Sequence, residues 1–167
     1  INMATARIQG AHQEHVELAR MFTSVKVMGP PMSETLVALI AHLFTRDEAR
    51  IGMRLSFVYP RTVGYIARKT GIREEELTAL LDEMCRKRII IPVAKRYLLY
   101  PLIPGTFENI LRTGEASAWH NRYAELVSEL FKTGYLRDYF TRPVNAIRNI
   151  PVERTVRDHG VVGRFPP

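Results

Sequence analysis

Cysteine is nearly missing from this chain: Cys85 is the only one in 167 residues. No disulfide can close within the chain, and a cysteine-ligated zinc finger or iron–sulfur cluster, which needs about four ligands, has no ligand set here. Long apolar runs are missing too. Leu36 to Ala41 and Ile89 to Val93 fall far short of the ~18 residues of a membrane span. The opening INMATARIQG has neither the basic start nor the apolar stretch of a signal peptide. The expectation is a cytoplasmic protein with no membrane partner. There is no glycine-rich phosphate loop, no triad spacing and no paired-carboxylate motif, so an enzyme acting alone is not expected.

What is present supports a folded, basic chain. Hydrophobic residues make up 46% and charged residues 25%, enough apolar material for a core. Net charge is +7, with the cationic excess in residues 33–102 and in the last 33 residues. Such a balance suits nucleic acid or an acidic protein surface.

The organising stretch is Tyr59–Tyr100. Thr62 reads as an N-cap, with Val63, Ile66 and Ala67 on the inner face of a short helix. Gly71 supplies the positive φ of a tight turn, and Ile72 plugs the junction. Leu77, Leu80, Leu81 and Met84 then recur at i, i+3, i+4 and i+7 of a second helix. Two β-rich segments, 89–93 and 97–102, flank Ala94-Lys95-Arg96 as a hairpin whose Pro92 marks an edge strand. The predicted fold is mainly α: a winged helix-turn-helix with a two-stranded wing, flanked by N- and C-terminal helices and an extended C-terminal tail.

The flanks follow from the same rules. Residues 11–28 form a first helix closed by Gly29-Pro30-Pro31, with Gly29 as its left-handed stop. Ser33 caps a second helix, and Thr45 with Glu48 forms a capping box for a third, within which Gly52 is a weak point. Beyond the wing, 106–111 and 117–133 read as helices, the latter aromatic through Trp119, Tyr123 and Phe131, followed by a turn through Tyr135, Leu136, Tyr139 and Phe140. The expected divisions are 1–31, an N-terminal helix and linker; 32–104, the winged helix; 105–140, a helical subdomain; and 141–167, the tail.

Candidate functional residues fall into few groups. For duplex DNA, Arg73, Arg86, Lys87, Arg88, Lys95 and Arg96 could hold phosphates from the second helix and the wing. Against this, Glu74-Glu75-Glu76 occupies the end of the helix that would enter the groove. Three adjacent carboxylates cannot all read cytosine amino groups, whereas they suit the positive pole of the helix. His12 and His15, spaced i, i+3, are the only metal candidates and lack a third ligand. His42 reads as a core-edge residue, while His120 and His159 have no evident acid–base partner. Cys85 reads as a half-buried structural thiol. The first helix and the aromatic helix could also form a homodimer face.

Two stretches resemble a known family. LFTRDEARIGMRLSF and LLDEMCRKRIII, with YLLYPLIPGTFE after them, are similar to the N-terminal region of ferredoxin-type 4Fe-4S proteins from anaerobic prokaryotes. The matching positions are Phe44-Thr45, Glu48-Ala49, Met84, Lys87 and Arg148-Asn149-Ile150-Pro151-Val152, and the likeness spans about 33–156. Arg88 stands where that family usually has glycine, and the family's cluster-binding cysteines have no counterpart here. The resemblance implies a non-catalytic docking module with no cofactor within these residues. Its 4Fe-4S cluster would lie in a partner protein or in a ferredoxin domain of the same polypeptide. The alternative is a winged-helix transcriptional regulator.

Overall fold

Side-chain caps set where the helices begin. The Ser33 hydroxyl accepts from Leu36 N at 3.1 Å and opens α2, Glu34–Leu43. Thr45 accepts from Glu48 N at 3.3 Å while Glu48 accepts from Thr45 N at 2.7 Å, the reciprocal pair expected for α3, Arg46–Gly52. Thr62 caps α4, Val63–Thr70, and Ser117 caps α7, Ala118–Lys132. Thr62 is the cap expected from sequence, whereas Ser117, expected as the first residue of its helix, caps it instead. The computed structural model describes residues 11–24 and 28–135. Leu136, Tyr139, Phe140 and the tail 141–167 lie outside these, as does His159.

Among the described residues the chain is mainly helical with one small antiparallel sheet. In order it forms α1 (Gln13–Phe22), α2, α3, β1 (Arg61–Thr62), α4, α5 (Glu74–Arg86), β2 (Ile90–Val93), β3 (Arg96–Leu99), α6 (Phe107–Leu111) and α7. An irregular turn over Leu102–Thr106 leads into α6. None of these helices is long and apolar enough to cross a membrane.

The sheet corrects the two-stranded expectation. Its order is β1-β3-β2, with Arg61 opposite Tyr97 and Ile90 opposite Leu99. Strand β1 has only two residues, too few to leave an alternating pattern in the sequence. Pro92 sits on β2, an edge strand, where its missing N–H breaks no inner ladder. The hairpin turn holds two residues, Ala94 (φ 45°) and Lys95 (φ 62°), the paired positive φ of a type I′ turn.

Two turns show what glycine supplies. Gly71 adopts φ 75° and its N–H closes on Ala67 O at 2.8 Å, so the chain leaves α4 in the left-handed conformation. Gly29 differs from the expectation. The left-handed residue there is Met28, at φ 49°. A Cβ on Gly29 would lie 1.5 Å from the carbonyl oxygen of Phe22, so glycine is required for close approach rather than for a stop. Helix α1 also ends earlier than 28, at Phe22.

One apolar core runs through the described residues. Leu18 and Phe22 of α1, Leu36, Leu39, Ile40 and Leu43 of α2, Ile51 of α3, Ile66 of α4, Leu77, Leu81 and Met84 of α5, and Tyr123, Leu126, Val127 and Leu130 of α7 all belong to it. Helix α1 packs on α2 and α3, α2 on α7, and α4 on α5. Phe22 meets the Phe57 ring edge-on at 5.1 Å, a geometry favoured by the ring quadrupoles. The apolar faces of α1 and α7 that the sequence offers to a second copy are used inside this core. Ile66 is the single fully buried residue of α4, and that helix also packs on α5, β1 and α3.

Candidate functional site

Helix α5 divides its surface cleanly. Leu77, Leu81 and Met84 are buried, whereas Glu74, Glu75, Glu76, Thr78, Ala79, Asp82 and Arg86 are exposed. Arg73, the residue before the first turn, is exposed and contributes no side-chain cap. Its neighbours Glu74 to Glu76 stabilise the helix through its positive pole. The outward face of α5 is therefore anionic.

The six cations named from sequence separate into two groups. Arg86 is ion-paired with Glu83 one turn earlier on α5. Lys87 reaches back to α3, where its ammonium donates to both carboxylate oxygens of Glu48 at 2.7 and 2.8 Å. Glu48 is 2% exposed, so this is a buried counter-charge and not a spare phosphate contact. Arg88 adopts φ 61° and its guanidinium donates to the carbonyl oxygen of Asn109 at 3.1 Å, tying the end of α5 to α6. Arg73, Lys95 and Arg96 remain exposed, with no ion-pair partner among the described residues. Sequence reasoning missed the role of Glu48, because its capping-box function already accounted for it.

The histidine candidates resolve by their ring nitrogens. His15 Nδ1 accepts from the His12 backbone N–H at 2.9 Å, and Nε2 lies 2.9 Å from the Phe44 carbonyl oxygen. A carbonyl only accepts, so Nε2 carries the proton and both nitrogens are committed to the backbone. His15 is 2% exposed, and burial holds its pKa below the ordinary histidine value. It is a structural residue rather than a metal ligand. Among the described residues no cluster of three or more His, Cys, Asp or Glu could hold a metal ion.

His42 behaves as the core-edge residue expected. It donates from Nε2 to Trp119 O at 3.0 Å and stacks on the Trp119 ring at 4.7 Å, joining α2 to α7. Burial lowers its pKa as well. Cys85 is half-buried, and burial followed by the nearby Asp82 charge pushes its thiol pKa up, which disfavours the thiolate.

His120 departs from the expectation that it stands alone. Its Nδ1 is 2.8 Å from the Ser117 hydroxyl and its Nε2 is 3.5 Å from Glu115. Ser117 also accepts from His120 N at 3.2 Å, so the hydroxyl is occupied as the N-cap of α7. His120 and Glu115 border a cleft of about 390 Å³ that the sequence did not foreshadow. Arg86, Lys87 and Arg88 follow one another along one side of it; Ile110, Trp119 and His120 come from α6 and α7. Their separation in sequence, more than 20 positions, is why no local pattern signalled it. Comparison with protein-family models, with curated proteins and with solved structures finds no match to this chain.

Proposed function

We propose that this chain is a winged-helix docking module that binds a protein partner and carries out no chemistry itself. The element order supports the winged-helix reading: a strand β1, helices α4 and α5 across the Gly71 turn, then the β2–β3 hairpin with β1 paired to β3. The observation that carries the docking reading is the exposed face of α5, with Glu74, Glu75, Glu76 and Asp82. In a duplex groove these carboxylates would sit among phosphates. A single carboxylate–phosphate pair at about 8 Å costs only about 0.5 kcal/mol in water, but B-DNA carries a charge every ~1.7 Å, so the terms multiply. Arg86 and Lys87 do not offset this, since each already pairs with a carboxylate of this chain. The same face complements a basic protein surface. The resemblance described above makes an iron–sulfur protein, with its 4Fe-4S cluster outside these residues, the first partner to test.

The second reading, a DNA-binding regulator, has one observation in its favour. Lys95 and Arg96 are exposed at the hairpin, where a wing would meet backbone phosphates. Fluorescence anisotropy with a labelled duplex at about 50 mM salt separates the two. The docking reading expects no saturable binding by the wild-type chain, and detectable binding once Glu74, Glu75 and Glu76 are changed together to Gln. Saturable wild-type binding that falls steeply with salt and disappears in K95A/R96A would establish the DNA reading instead.

A further inference from the structure

We propose that the cleft between the end of α5 and helices α6 and α7 is a binding site for a small organic carboxylate, with Arg88 as the group that holds it. The cleft's volume of about 390 Å³ lies within the usual range for small-molecule sites, a few hundred to about 1,000 Å³. Its charges are mostly matched already. Arg86 is paired with Glu83, and Lys87 with Glu48. Glu115 lies 3.5 Å from the His120 ring, which offsets its charge only when that ring is protonated.

Arg88 is the exception. Its partner is the neutral carbonyl of Asn109, reached from Nη1. A guanidinium has five N–H donors, so most of Arg88's remain for a ligand, and no carboxylate lies within ion-pair distance of it among the described residues. The backbone does not explain an arginine here. At φ 61° a residue with a Cβ is disfavoured, and glycine or asparagine would fit better. Trp119 and Ile110 supply an apolar surface in the same cleft. One unmatched guanidinium beside an apolar wall is complementary to a monoanion with a hydrocarbon body. A phosphate monoester, a dianion, would bring two charges into a cleft that already holds Glu115, with Arg88 as the one cation free to offset them.

Trp119 is the single tryptophan of the chain and lines the cleft, so its emission reports occupancy directly. The wild-type protein is titrated with hexanoate, with its neutral isostere hexanamide and with hexyl phosphate. The proposal expects a saturable change with hexanoate, none with hexanamide, and weaker binding of the phosphate. In R88G and R88N, both compatible with a left-handed φ, hexanoate affinity falls about tenfold or more, while thermal melting shows an intact fold. The assignment is overturned if hexanoate gives no saturable response. It is equally overturned if hexanamide or hexyl phosphate binds as well as hexanoate, or if folded R88G binds hexanoate as tightly as wild type.

Discussion

His15 shows how a residue's type misleads until its partners are known. Its i, i+3 spacing from His12 is that of a metal pair, yet both of its nitrogens serve the backbone of α1 and of the α2–α3 junction. Protonation would break the bond to His12 N, because Nδ1 must stay an acceptor. For His15 and His42 alike the folded-state pKa lies below the ordinary value of 6.5. The unfolded chain therefore takes up protons first as pH falls. Their contribution to stability is complete above about pH 6.5 and is lost on acidification below it. Urea midpoints should fall from pH 8 to pH 5, with a flatter profile in H15Q/H42Q; a wild-type midpoint constant over that range would refute this. The lowered pKa of Glu14, held by its backbone hydrogen bond and by Arg46, acts in a separate window below about 4.5. The Glu48–Lys87 pair gives a second expectation. K87A leaves a buried carboxylate without its counter-charge and should cost about 3 kcal/mol, whereas K87M/E48M should restore only part of that loss, because Glu48 also accepts from Thr45 N in the cap of α3. Chemical denaturation of the wild type and the two variants measures the difference, and a K87A protein as stable as wild type would show the pair to be ornamental.

At the level of elements, local chemistry explains the boundaries well. Ser33, Thr45 with Glu48, and Thr62 all cap the helices their positions announce, since a cap is satisfied within three residues of itself. Strand β1 is the contrary case. Two residues carry no period, and Arg61–Thr62 is extended only because β3 is there to pair with it. The hairpin supplies a direct test. Ala94 and Lys95 hold positive φ that neither prefers, so A94N/K95G, the favoured type I′ pair, should stabilise the fold by about 1 kcal/mol. A melting temperature that stays level or drops in that variant would mean that the turn is set by contacts beyond its own two residues. Helix α5 illustrates the limit of pattern reading: the i, i+3, i+4, i+7 stripe locates its buried face, but what the opposite face means depends on charge, not on period.

Over the whole molecule, α1, α2, α5 and α7 share one core, from Val16 to Tyr135. Stacking of His42 on Trp119 places the sole tryptophan on the contact between α2 and α7. Trp119 emission and far-ultraviolet circular dichroism should consequently follow the same urea transition. Two separated transitions would mean that α7 melts apart from the rest. What the sequence determined by itself is local: the helical class, the caps, the Gly71 turn, the buried stripe of α5 and the edge position of Pro92. Each depends on residues within a few positions, which hydrogen-bond geometry and side-chain period constrain directly. Only the tertiary structure decided the rest. It set Lys87 on Glu48 across 39 positions, His15 on Phe44 across 29, and His42 on Trp119 across 77. It also left Arg88 without a carboxylate beside Trp119. Partner choice over such separations is fixed by how helices pack, and no window of neighbouring residues contains that information.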